Sequence, residues 1–193
     1  MIKLNYKPLT KETWLDIVRL FGDRGACGGC WCMTWRLQKA DFEKNKGAGN
    51  KKHLKKITEN GMTPGLIGYH KQEPIAWCSF GPRDHFVRLQ KSRLLKPIDE
   101  EEVWVVSCLF VSKPYRRMGV SVKMLRAVAR FAKEKKKRIL EAYPVVPYSA
   151  RMPDVFAWTG LLSAYQQAGF VEVGRPSRNR PIMRFFVMGK QAK

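Results

Sequence analysis

Long apolar runs are missing from this chain: no stretch of 18 apolar residues occurs, so a membrane-spanning helix is not expected. The N-terminus turns polar at Lys3, and no secretory pattern follows it, which points to a cytoplasmic protein. Cysteines number only five, an odd count, which argues for thiols rather than a disulfide framework. Acidic residues are scarce, 16 against 37 Lys and Arg, and the formal net charge is +21. Histidines number three, at 53, 70 and 85, too scattered to complete a metal site with Cys27, Cys30 and Cys32. No internal repeat and no linker divides the 193 residues, a length suited to one compact core.

What is present begins with a charge-free run, Val103–Val111, rich in β-branched and aromatic residues and read as a strand buried on both faces. Ser112-Lys113-Pro114-Tyr115 and then Arg116-Arg117-Met118-Gly119-Val120-Ser121 follow it. After Gly119, Val122, Leu125, Ala129 and Ala132 recur at helical spacing, with Met124, Val128 and Phe131 widening the stripe. A second apolar run ends at Glu141-Ala142-Tyr143-Pro144. Strand, basic glycine turn and helix together make a phosphate cradle. The first helical turn has unpaired N–H groups and a positive dipole end, glycine admits a ligand to the backbone, and arginine adds charge.

At these residues the chain resembles the GNAT superfamily of acetyl-CoA-dependent N-acetyltransferases. The superfamily's Gln/Arg-x-x-Gly-x-Gly/Ala signature stands here as Arg116-x-x-Gly119-x-Ser121, with Ser121 a small departure. Leu161–Phe170 resembles the family's late helix, with Tyr165 four residues before Gly169-Phe170. Cys27–Met33, Trp77–Arg83, Glu141–Pro144 and Trp158–Gly160 resemble a bacterial subgroup of the superfamily, a likeness that brings no substrate with it. The resemblance implies one GNAT domain over residues 1–193. Its fold would be mixed α/β: a twisted, mostly antiparallel sheet with a splayed fourth and fifth strand, flanked by helices.

The resemblance also implies roles. Leu109, Phe110 and Val111 would offer backbone groups to the pantetheine arm and the thioester oxygen, and Arg116, Arg117, Met118, Gly119, Val120 and Ser121 would hold the pyrophosphate. Tyr165 aligns with the general acid that protonates the leaving thiolate. A phenol stays protonated at neutral pH, although a tyrosine on an amphipathic helix also reads as core. Family members often carry an asparagine where Trp158 and Thr159 stand, a departure that leaves this coenzyme contact open. The general base stays open among Glu100, Glu101, Glu102 and Glu141.

Acceptor-side candidates are Trp31 and Trp35, presented by the Gly-rich turn with Arg36, together with Arg83 and Glu141. Arg83 is equally readable as a surface arginine. Cys27-x-x-Cys30-x-Cys32 has half-site spacing, but no second pair exists, and no metal is expected. The partners expected are acetyl-CoA and a small amine that attacks the thioester directly, with a monomer or a homodimer both open. The alternative is a protein- or RNA-linked amine, or a non-catalytic acyl-CoA- or nucleic-acid-binding protein of the same fold. Lysine clusters at 44–56 and 133–138 read as a solvated surface that attracts polyanions. They lack interleaved aromatics, which argues against a specific nucleic-acid module.

The remaining expectations are coarse. They are a first strand at Ile2–Tyr6 and a helix over Glu12–Leu20 capped by Thr10, packing Trp14, Leu15, Val18 and Leu20 inward. A helix over Lys51–Glu59 and a hairpin of Gly65–Tyr69 with Glu73–Phe80 come next. Arg88–Glu102 reads as irregular, and Pro144–Asp154 as a proline-rich lid or substrate loop. Val171–Val173 and Ile182–Met188 close the sheet.

Overall fold

A computed structural model describes residues 2–149 and 152–187. Seven strands form one sheet: β1 (Asn5–Pro8), β2 (Gly65–His70), β3 (Glu73–Pro82), β4 (Trp104–Val111), β5 (Ile139–Ala142), β6 (Val171–Ser177) and β7 (Arg180–Phe186). Their order across the sheet is β1-β2-β3-β4-β5-β7-β6. Every neighbouring pair is antiparallel except β4 and β5. That parallel pair needs a crossover, which α5 (Val120–Glu134) supplies. The other helices are α1 (Trp14–Phe21), α2 (Lys39–Lys44), α3 (Ala48–Glu59), α4 (Val87–Gln90) and α6 (Leu162–Ala168).

The β4–β5 ladder is short. Only Trp104, Val105 and Val106 pair with Leu140, Glu141 and Ala142. β5 ends two residues before Pro144, which has no N–H to extend the ladder. Ser107–Val111 therefore lack a strand neighbour on that side, and the sheet splays open there.

On its other edge β4 pairs with β3 along its whole length, with one register shift. Ser79 faces Cys108 while Phe80 faces Val106, so Ser107 is the extra residue of a bulge. Its hydroxyl, buried, bonds Ser79 Oγ at 3.1 Å. Below the bulge the strand's faces are re-dealt. Val106 and Leu109 join a core beneath α5 and α6 with Met124, Leu125, Val128 and Tyr165. Cys108 and Phe110 pack on the opposite core with Ile17, Phe21, Trp31, Leu54 and Trp77. The expectation of a strand covered on both faces holds for this reason. Gly68 lets α5 lie close: a Cβ there would stand 2.5 Å from Met124 Sδ.

Local boundaries differ from those read in sequence where polar ties outweigh periodicity. The first strand is shifted to Asn5–Pro8, and α1 starts at Trp14. Thr13, not Thr10, joins the two, its hydroxyl donating to Pro8 O (2.9 Å) and accepting from Thr10 N–H (2.9 Å). Ile17 and Phe21 are the buried residues of α1, whereas Leu15 is 73% exposed. The short α2 has no counterpart in the sequence expectations, and β6 runs on to Ser177. Met188, the expected end of the last strand, lies outside the described residues.

Candidate active site

The splay leaves half of β4's backbone facing a cleft of about 720 Å³. Ser112 N–H donates to Ile75 O (2.9 Å), so Ser112 points at β3. Antiparallel alternation then turns the N–H groups of Leu109 and Val111 away from β3, toward the gap. Leu109 N–H is taken by Trp158 O at 2.8 Å. Val111 N–H faces the cleft that Val111, Phe110 and Leu109 line, and Val111 O accepts from Arg116 Nε (3.0 Å).

The far wall is the start of α5. Arg117 and Gly119 both adopt positive φ, 61° and 74°, which reverses the chain between a 3-10 turn at Lys113–Tyr115 and the helix. Gly119 is the N-cap in left-handed conformation, and no side chain caps the helix. A Cβ at Gly119 would meet nothing within 4 Å, so glycine serves the dihedral and leaves the backbone open to a ligand. The N–H groups of Val120, Ser121 and Val122 have no intrahelical acceptor and open beside this wall; Lys123 N–H is the first to reach back, to Gly119 O (3.2 Å). Arg116 anchors the turn through Val111 O and through Asp154 at 2.8 Å. Arg116, Arg117, Gly119, Val120 and Ser121 all line the cleft, while Met118 is half exposed and is not among the lining residues. Helix dipole, open N–H groups and two guanidinium groups fit a diphosphate, and the β4 edge fits an amide-bearing arm.

Residues 31–154 match the acetyltransferase (GNAT) family. The chain belongs to that family. It is an acetyl-CoA-dependent acetyltransferase with the mixed α/β fold of its kind. Solved structures repeat the fold over nearly all of the chain. A GNAT-family acetyltransferase from Listeria monocytogenes has TM-score 0.56 and 11% identity, covering 96% of this chain and 95% of that one. A PaiA N-acetyltransferase from Thermoplasma acidophilum, solved with coenzyme A, has TM-score 0.53 and 12% identity, covering 96% and 99%. YncA, an acetyltransferase from Salmonella typhimurium solved with acetyl-CoA, has TM-score 0.54 and 13% identity, covering 98% and 96%. Such identities speak for the fold alone. No curated protein matches this chain.

In this acetyltransferase Tyr165 is fully buried, one layer behind the cleft wall, and its hydroxyl donates to Thr159 O (2.9 Å). Burial holds its phenol well above the ordinary tyrosine range, so it stays protonated. Between Tyr165 and the cleft stands Gly160, at φ 85°, where a Cβ would lie 2.7 Å from both Leu109 Cδ1 and Tyr165 Cε2. Gly160→Ala combines this overlap with left-handed strain. It is expected to cost about 2–4 kcal/mol, a Tm loss of about 4–16 °C in thermal unfolding.

The acceptor-side candidates fall into two groups. Arg83 and Glu141 are joined to each other (3.0 Å), and neither lines the cleft. Glu141, 1% exposed, also bonds Tyr143 OH and Arg184 Nε (2.8 Å), and Arg184 pairs with Asp99 (2.5 and 2.8 Å). Trp31 is buried in the α1–α3 core between Trp14 and Phe21. Trp35 is brought to the splay, its ring meeting Trp158 at 5.0 Å and Tyr143 at 5.7 Å. Glu101 and Glu102 pair with Arg138 and Lys137 at the surface, and no glutamate lines the cleft.

Cys27 is exposed and lines the cleft. Hydrogen bonding to Cys32 and burial raise Cys30 far above the usual thiol range. Cys32 is raised chiefly by Cys108, and accepts from Trp77 Nε1 (3.0 Å). Cys30 and Cys32 are thiols, not poised nucleophiles. Among the described residues no group of three or more His, Cys, Asp or Glu is placed to hold a metal ion. No helix among them is long and apolar enough to cross a membrane.

Sequence reasoning missed the Trp158–Gly160 turn as a part of the site. Its signal was there as the departure from the family's asparagine: Trp158 contributes a carbonyl, which any residue carries, so side-chain identity did not announce it. The proline-rich segment was flagged, and Pro147, Ser149, Met152 and Asp154 do line the cleft; its residues 150 and 151 lie outside the described residues.

Proposed function

We propose that the chain, acting as one acetyltransferase domain, moves the acetyl group of acetyl-CoA directly onto a primary amine of a small molecule. The observation that carries this reading is the β4 splay facing the open start of α5 across one cleft. The diphosphate sits on the N–H groups of Val120 and Ser121, with Arg116 and Arg117 alongside. The pantetheine arm runs along Leu109–Val111, and Val111 N–H donates to the thioester oxygen as negative charge develops on it. Leu109 N–H is held by Trp158 O and is not the oxyanion donor. The amine attacks the carbonyl carbon, the tetrahedral intermediate collapses, and the sulfur leaves as thiolate and takes up a proton. The attacking nitrogen must arrive neutral, and with Glu141 clamped between arginines it releases its proton to water.

Tyr165 is the proton donor in this reading, which requires the Thr159–Gly160 turn that its hydroxyl holds to open a path to the sulfur. A small acceptor is supported by the enclosing elements, the Trp35–Trp158 pair at the splay and the proline-rich segment over the cleft. Thiol release from acetyl-CoA, measured against small primary amines, peptides and nuclease-treated and untreated cell extracts, tests the acceptor class. Turnover with small amines is expected; turnover confined to peptides or RNA-bearing extract would overturn it. Tyr165→Phe is expected to lower kcat by about 10²-fold with KM for acetyl-CoA unchanged. A loss below about threefold assigns the hydroxyl to holding the Thr159–Gly160 turn instead.

A further inference from the structure

A second cavity, of about 260 Å³, shares no lining residue with the cleft. Its polar lining is basic or neutral throughout: Arg36, His53, Lys56, Asn60 and His85. Met33, Leu37, Ile57 and Met62 make its apolar wall. Four of these residues, His53, Lys56, Ile57 and Asn60, fall at i, i+3, i+4 and i+7 of α3 and its C-cap, so one helix face is turned to the cavity. The lysine-rich segment read from sequence as a solvated surface thus has one face with a different use.

Arg36 is the unusual member. It is 8% exposed, and among the described residues no carboxylate pairs with it. Nη2 donates to Phe80 O (2.8 Å) and Pro64 O (3.4 Å), the guanidinium lies 4.5 Å over the Phe86 ring, and Nε is buried with no partner. Asp84 is 77% exposed and pairs with His85 alone, at 4.0 Å. Burial lowers the Arg36 pKa to about 10, which still leaves it charged. A buried cation held only by neutral carbonyls is costly unless an anion completes it. Arg184, the other buried arginine among the described residues, shows the ordinary solution, pairing with Glu141 and Asp99, and the part-buried Arg83 likewise has Glu141.

We propose that this cavity is an anion-binding site, separate from the acetyl-CoA cleft, that takes a small carboxylate with an apolar body. The carboxylate would pair with Arg36 and Lys56, and the apolar body would cover Met33, Leu37 and Ile57. The volume suits a molecule of about a dozen heavy atoms, near the lower end of ordinary ligand pockets. Arg36 Nη1, the guanidinium nitrogen that neither donates to a carbonyl nor is sealed, is the donor left for a carboxylate, and the apolar wall favours an organic anion over inorganic phosphate.

The test is thermal unfolding with the acetyl-CoA cleft saturated by coenzyme A. The probes are benzoate and 4-methylpentanoate, their amides, and inorganic phosphate, all at matched ionic strength. Carboxylates at tenfold their dissociation constant should raise Tm by about 3–6 °C, and the amides by less than about 1 °C. Arg36→Met should abolish the carboxylate shift. Lys56→Gln, at an exposed position that leaves the core untouched, should weaken binding about three- to tenfold and carries the test if Arg36→Met does not fold. Equal shifts from acid and amide, or no shift from either, would overturn the proposal. So would a shift unchanged by Lys56→Gln, while binding of phosphate in preference to both carboxylates would overturn the organic-anion assignment.

Discussion

Ser121→Glu is expected to raise the KM for acetyl-CoA by about 10²-fold while leaving the fold intact or slightly more stable. Ser121 is the second residue of α5 and lines the cleft. A carboxylate in a helix's first turn stabilises the helix by about 0.3–1 kcal/mol, because it faces the positive dipole end. The same carboxylate then stands where the proposed reading seats the diphosphate. At about 4 Å each repulsive charge pair costs about 1–4 kcal/mol between bulk water and a partly shielded surface, which brackets a loss of about fivefold to a thousandfold. The opposite signs of the two effects make the experiment discriminating. Thermal unfolding of the free protein reads the first, and initial rates against acetyl-CoA concentration read the second. Ser121→Ala, which keeps the small volume, should change KM by no more than about threefold. A large KM effect from alanine would mean that the hydroxyl itself donates to a phosphate; no effect from glutamate would remove the start of α5 from the coenzyme site.

The cradle was legible in the sequence because its chemistry depends on residue types that cannot be exchanged freely. Gly119 must take φ 74°, the apolar stripe from Met124 to Ala132 must recur at helical spacing, and Arg116 must carry charge. The splayed β4–β5 pair was what the family resemblance implied; its parallel pairing, bridged by α5, is seen only in the structure. Backbone interactions left no such trace. Trp158 O on Leu109 N–H, the Ser107 bulge and the Thr13 tie could be made by many sequences, so periodicity and composition do not encode them. The acceptor side was the hardest for a related reason. Arg83, Glu141, Trp31 and Trp35 are chemically suited to bind a substrate and equally suited to bind one another, and only their pairing in space separates the two. Arg36 is the reverse case. It was noted only as a neighbour of two tryptophans, and the missing partner that singles it out is invisible until burial is known.

Glu141→Gln should destabilise the protein by about 3–5 kcal/mol, seen as a Tm fall of about 6–20 °C. Glu141 Oε1 accepts from Arg83 and Tyr143, and Oε2 accepts from Arg184. The side chain is at the centre of the sheet, on β5 and opposite Arg184 in the β5–β7 ladder. Neutralising it leaves Arg83, which has no other acid partner among the described residues, as a part-buried cation, and a glutamine amide cannot accept at both ends. Arg184 keeps Asp99, so the damage is confined to one side of the network. Adding Arg83→Met should restore about half of the lost stability, because the charge stranded by the first change is then gone and its aliphatic replacement can pack. The same variants settle the role of Glu141 in catalysis. If it clamps the sheet, kcat measured well below the lowered Tm stays within about threefold of the starting protein. If it were a general base, kcat would fall by 10²-fold or more with stability little changed, and Arg83→Met would not bring it back.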